Sequence, residues 1–170
     1  MINLKKNIKF LITLFILLGL SFHSNFVYAA GSSGNGATDK TSLYKSGKKL
    51  VLRAKKLEKK DKIEKAKKLY LKAYDKFEKA YAKNKKNADI LNYLGYTLRK
   101  TGNFEKAEIY YLKGLELDSG HLGINEYLGE LYVQTDRIEL AKERLQVLVG
   151  CKCEEYEELK ELIEGKKDLY

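Results

Sequence analysis

The sequence predicts an all-α protein built from stacked helix hairpins, and three observations carry that reading. Proline and tryptophan are absent while Lys, Leu, Glu and Ala dominate, a composition that suits helices and lacks the turn residues and β-branched runs of a sandwich. Apolar residues recur at helical spacing from Leu50 to Leu162. The chain also matches itself at an offset of 34 residues. At 170 residues it is about one domain's worth of chain, enough for a modest core.

Taken in order, residues 1–29 read as an export signal. Lys5, Lys6 and Lys9 precede an apolar run from Phe10 to Phe22, and Val27-Tyr28-Ala29 offers a cleavage point after Ala29. Thirteen helical residues rise only about 20 Å, short of a hydrocarbon core of about 30 Å. The expectation is export, with the periplasm as the destination. The rival readings are secretion to the exterior and a leader retained as a membrane anchor. No cysteine follows the cut, which excludes lipid attachment there. Residues 30–42 are rich in Gly and Ser and read as a flexible linker. Their Gly34-Asn35-Gly36 triplet lacks the preceding strand that a nucleotide loop needs.

Residues 43–86 form an irregular, lysine-rich hairpin. Leu50, Ala54 and Leu57 are helix-spaced, Lys59-Lys60-Asp61-Lys62 is a turn, and Ile63, Ala66, Tyr70 and Ala73 begin a second helix. Residues 87–120 and 121–153 are two regular units. The 34-residue offset places Asn92-Tyr93-Leu94-Gly95 over Glu126-Tyr127-Leu128-Gly129. It also pairs Leu98 with Tyr132, Thr101 with Thr135, Phe104 with Ile138, Ala107 with Ala141 and Tyr111 with Leu145. Gly95 and Ala107 mark where two helix backbones approach closely, and Gly102 and Asp136 mark the midpoint turns.

These residues resemble the tetratricopeptide repeat, a helix–turn–helix unit of the same period. Gly114 and Leu148 depart from its second small position, and Ser119 and Cys153 stand where a closing proline often falls. Tyr70, Ala73, Phe77 and Ala80 fit the same pattern when read seven residues later, so the second helix of the first hairpin is two turns too long and spans about Ile63 to Lys83. Tyr156, Leu159 and Leu162 fall where a further first helix would bury its residues, so residues 154–170 read as a capping helix. Its early glutamates and late lysines suit the helix dipole. The resemblance implies a short right-handed α-solenoid of about three hairpins plus this cap.

Charge is divided along the chain. Residues 40–86 carry 19 Lys/Arg against 5 Asp/Glu, whereas residues 87–170 carry 11 against 17. The basic segment reads as a solvated face, or as a binder of anionic lipid or envelope polymer. It is Lys-rich with little Arg, a poor fit to nucleic acid. The opposed halves also allow weak head-to-tail self-association.

Little in the sequence points to catalysis. Beyond the leader the only histidine is His121, in the link between the two regular units, where it reads as a solvated linker residue. Metalloprotease, hydrolase and P-loop motifs are absent, and no metal or cofactor is expected. Cys151 and Cys153 leave three readings open: a local disulfide in a tight turn, free or intermolecular thiols, and a redox or metal role. The family resemblance implies a partner protein or peptide held in a concave groove lined by first helices. The residues it implies are Asn92, Tyr93, Tyr96, Arg99 and Lys100 in the second repeat, with Glu126, Tyr127, Glu130 and Gln134 in the third. Lys48, Val51, Lys55 and Lys59 are their counterparts in the first. The clamp with which some family members grip a chaperone's terminal carboxylate has no counterpart, because its positions hold Val51, Lys55, Tyr93, Gly123 and Tyr127.

Overall fold

The computed structural model describes the backbone of residues 36–166 and the side chains of residues 41–166. The signal reading of residues 1–29 lies outside these. Within them are seven helices and no strand: α1 (Gly36–Glu58), α2 (Ile63–Lys83), α3 (Ala88–Lys100), α4 (Phe104–Leu117), α5 (Leu122–Gln134), α6 (Ile138–Leu148) and α7 (Glu154–Ile163). Successive helices pair as α1–α2, α3–α4 and α5–α6, each hairpin packs on the next, and α7 closes the stack against α5 and α6. The first helices touch in sequence as well, α1 with α3, α3 with α5 and α5 with α7, and so share one face. None of the described helices is long and apolar enough to cross a membrane.

One expectation is corrected at the start of α1. Residues 36–42 of the supposed linker are helical. Nucleation is the costly step in helix formation, whereas each added residue costs little. The turn anchored by Leu43, Tyr44 and Gly47 therefore propagates back through Ala37-Thr38-Asp39-Lys40, where no proline stops it.

The hairpin turns share one construction. The residue just past the first helix adopts the left-handed conformation at Asp61, Gly102 and Asp136, with φ of 55°, 89° and 57°. In each case the next amide reaches back to a carbonyl five residues earlier: Lys62 to Leu57 at 2.9 Å, Asn103 to Leu98 at 2.9 Å and Arg137 to Tyr132 at 2.8 Å. This Schellman closure satisfies end carbonyls that would otherwise lack donors. It does so without the proline that often follows such units. The opposite ends are capped by side chains: Asn87 accepts from the Ile90 amide, Asn103 from Lys106 and His121 Nδ1 from Ile124. His121 is thus a helix cap rather than a solvated linker residue.

Packing between helices depends on glycines facing large side chains. A Cβ at Gly95 would lie 2.5 Å from the Tyr111 ring, one at Gly47 would lie 2.6 Å from Phe77, and one at Gly129 would lie 2.5 Å from Leu159. Tyr111, Phe77 and Leu159 are fully buried as a result. Around them Tyr70, Ala73, Ala80 and Leu94 form one apolar cluster, and Ala107, Ile124, Leu128, Leu131 and Ala141 form another. The contact at Gly47 was not anticipated from sequence.

Two substitutions separate these effects. Gly102→Ala meets empty space but strains a left-handed backbone, and should lower stability by about 1 kcal/mol. Gly95→Ala adds a clash with a buried ring and should cost on the order of 1–3 kcal/mol. Urea denaturation of both variants checks the order.

Candidate functional site

The shared face of α1, α3, α5 and α7 carries a ladder of tyrosines and charges. The Tyr44 and Tyr93 rings meet edge to face at 5.6 Å, Tyr93 stacks on Phe77 at 4.9 Å, and Tyr96 and Tyr127 lie 4.8 Å apart. Cations from α1 stand over these rings. Lys48 Nζ is 5.5 Å from the Tyr44 centroid and 5.7 Å from that of Tyr93, and Lys55 Nζ is 5.1 Å from Tyr96. First-helix residues reach these positions because i, i+3 and i+4 side chains share a helix face. Lys48, Tyr44 and Lys55 lie on that face of α1, and Tyr93 and Tyr96 on that of α3.

A cleft of about 460 Å³ opens on this face. Tyr44 and Lys48 of α1 form one wall, Asn92 and Tyr93 of α3 the floor, and Glu126 and Tyr127 of α5 the other side, with Glu155 of α7 at the rim. The link from Asp118 to Gly123 closes one end. That link is fixed internally: Asn125 donates to the Ser119 and His121 carbonyls, both at 3.1 Å. Because His121 Nδ1 accepts from the Ile124 amide, its proton lies on Nε2, which faces Asp89 Oδ1 at 3.4 Å.

The groove residues suggested by sequence divide into two groups. Tyr93, Tyr127 and the buried Asn92 and Glu126 line the cleft. Tyr96 and Arg99, each 4% exposed, belong to a buried network instead. Arg99 pairs with Glu130, donates to Gln134 Oε1 at 2.9 Å, and lies against the Tyr96 and Tyr127 rings. Lys100 turns to Glu58 at 2.8 Å, whose other oxygen accepts from the Tyr70 hydroxyl at 2.7 Å. So Tyr96, Arg99, Lys100, Glu130 and Gln134 join neighbouring repeats rather than present themselves to a partner. Val51 is in the core and Lys59 is exposed at the first turn. Spacing identifies a helix face, but it does not show how far the next helix covers that face.

Electrostatics follow burial. Desolvation opposes the Arg99 charge, but Glu130, Tyr111 and Tyr96 together outweigh it and raise its pKa. Burial lowers the Lys100 pKa against the pull of Glu58. Burial also raises Tyr96 and Tyr127, which stay protonated. Glu126 is the outlier: burial, reinforced by Glu130 and Glu158, pushes its pKa up to about 9. Carboxylate oxygens of Glu126, Glu130 and Glu158 lie within 4.8 Å of one another, a spacing that could hold a cation. With Glu130 engaged by Arg99 and Glu126 protonated at neutral pH, the crowding is relieved by a proton and a guanidinium. Glu158 was missed from sequence, where it reads as one of several cap glutamates.

Cys151 and Cys153 are joined by a disulfide with their Cα atoms 5.2 Å apart. Between them Lys152 has a φ of 52°, and Cys153 leads directly into α7. The bond closes the link between the third hairpin and the cap.

The Glu126 shift gives stability a defined pH dependence. In the fold the carboxyl holds its proton to about 9, against 4.5 in the unfolded chain. Between those values the folded state binds the extra proton, so stability should fall as pH rises through this window and level off above it. Glu126→Gln should remove that slope and stabilise most near the alkaline end, as read from urea midpoints across the window.

Comparison with known proteins fits this architecture. Residues 50–119 match the tetratricopeptide repeat family. Among solved structures, the chain is similar to the TPR domain of Arabidopsis OM64, at 14% identity and a TM-score of 0.53, covering 74% of this chain and 99% of that one. It is similar to the first TPR domain of Spaghetti (RPAP3) bound to the HSP90 peptide SRMEEVD, at 18% identity and a TM-score of 0.50, covering 72% and 94%. A tetratricopeptide repeat protein from Parabacteroides merdae ATCC 43184 is similar at 16% identity and a TM-score of 0.50, covering 71% and 59%. No curated protein matches the sequence. Residues 50–119 thus match the tetratricopeptide repeat family, and the 34-residue period and the helix hairpins carry the same all-α repeat fold through the described residues.

Proposed function

We propose that this chain is a non-catalytic interaction module that holds an extended peptide or helix of a partner protein in the cleft between α1, α3 and α5. The cleft itself carries the reading: aromatic faces and mixed charges on rigid helices, with polar groups at its floor and rim. Tyrosines supply contact area with a polar tip at low entropic cost. The similar RPAP3 domain is bound to an HSP90 peptide, which supports peptide binding on this architecture. The cleft groups are acceptors and aromatic faces rather than a nucleophile beside a base, which favours binding over catalysis. Reading residues 1–29 as an export signal, we propose that this module works in the cell envelope.

Charge reversal at the rim tests the reading without disturbing the core. Affinity capture of the tagged chain from intact cells should recover a defined partner. Lys48→Glu/Glu155→Lys should lose it while keeping the same unfolding midpoint. Retention of every partner by that variant would sink the cleft as the binding site.

A second reading concerns the outer face of α2, where Lys65, Lys68, Lys72 and Lys79 are all exposed. We propose that this face adheres to anionic lipid or envelope polymer. Binding to vesicles containing phosphatidylglycerol should collapse between low and physiological salt as screening shortens to about 8 Å. Binding that ignores salt would exclude it.

A further inference from the structure

We infer that the cleft receives a positively charged side chain, an ammonium or guanidinium, from the partner segment. This rests on the peptide-binding reading above and specifies the chemistry of the bound residue.

The cleft is built from acceptors. Asp89, Asp118, Glu126 and Glu155 line it, and among the described residues Lys48 is the one lysine or arginine that does. Asn92, at the floor, is 7% exposed, and its Oδ1 accepts no hydrogen bond from the described residues. A buried acceptor without a donor is costly, and an N–H-rich ligand entering the cleft supplies one. Gly123 maintains this arrangement, since a Cβ there would lie 2.9 Å from Asn92 Nδ2 and push the carboxamide aside.

The aromatic walls favour the same chemistry. Tyr44 and Tyr93 already hold the Lys48 ammonium over their rings, so this face is tuned to cations by its own geometry. Tyr127 also lines the cleft, and its ring already has Lys55 and Arg99 at 5.8 and 5.7 Å from its centroid. A guanidinium entering the cleft has five N–H donors for the carboxylates and the Asn92 oxygen. A volume of about 460 Å³ lies within the range of about 300–1,000 Å³ typical of small-ligand sites. A carboxylate in the same position would face the Asp89, Asp118 and Glu155 carboxylates, so the cleft selects against acidic segments.

The test uses two small probes on the full chain, N-acetyl-arginine amide and N-acetyl-glutamate amide, titrated to tens of millimolar against backbone amide NMR spectra. The arginine probe should give saturable shifts centred on Asn92, Tyr93, Glu126 and Tyr127, and the glutamate probe none there. Glu155→Gln and Asn92→Ala should each weaken the arginine response about tenfold, as expected for loss of a charge-assisted or buried hydrogen bond. Glu155 is on the rim, so its variant reports even if Asn92→Ala does not fold. Gly123→Ala should weaken it as well, and Lys48→Ala should strengthen it.

Three results would overturn the inference. Saturable cleft shifts with glutamate that vanish in Lys48→Ala would make the site anionic in preference. Arginine shifts spread along the acidic α7, and indifferent to these variants, would reduce it to diffuse charge attraction. Silence of the cleft toward both probes would remove the subsite, while partner capture decides the broader peptide reading on its own.

Discussion

Contact between helices at the missing side chain of a glycine is the constraint on which the other features rest. Gly47 admits Phe77, Gly95 admits Tyr111 and Gly129 admits Leu159. With those side chains sunk into the facing backbone, each of the first two hairpins closes tightly and the last helix seats on α5, and in the resulting stack the first helices touch one another. That contact gathers Tyr44, Tyr93 and Tyr127 onto one face. The cleft is therefore a by-product of how the apolar residues are buried, and its walls are as rigid as the core behind them.

The third of these contacts differs from the first two. Gly95 is filled from within its own hairpin, whereas Gly129 is filled by Leu159 of the closing helix. Leu145, which aligns with Tyr111, is only partly buried. A leucine reaches less far than a tyrosine, and the last helix supplies what the shorter side chain leaves open. The disulfide between Cys151 and Cys153 holds the short link that brings that helix into place.

Much of this was legible in the sequence, because a 34-residue period converts weak single-residue signals into repeated ones. The all-α fold, the tetratricopeptide repeats and the buried positions at Ala107, Leu128 and Ala141 follow from that period and from helical spacing. The extent of α1 was hidden because Gly and Ser near its start look like a linker, although helix already nucleated nearby extends through them. The counterpart of Gly95 in the first hairpin was hidden because that hairpin is longer, so Gly47 does not fall on the period. At the site, spacing picked out the correct face but not its division. Whether Tyr93 lines a cleft or Arg99 is buried depends on which residues the next helix brings over them. The raised pKa of Glu126 depends on Glu158, 32 positions away and outside the regular repeats.

The Arg99 network bears on assembly order. Hydrophobic ladders of alternating glycine and aromatic residues are nearly interchangeable, so on shape alone one hairpin could stack on several others. Arg99 finds its carboxylate at Glu130 and its amide at Gln134, both on the following hairpin, while Lys100 finds Glu58 on the preceding one. Each junction is thus keyed by a pair that no other junction supplies. A hairpin shuffled out of sequence would bury a cation without its anion, a penalty of several kcal/mol. The polar residues between the tyrosines act as addresses, fixing which unit follows which in a stack whose apolar surfaces are too alike to do so.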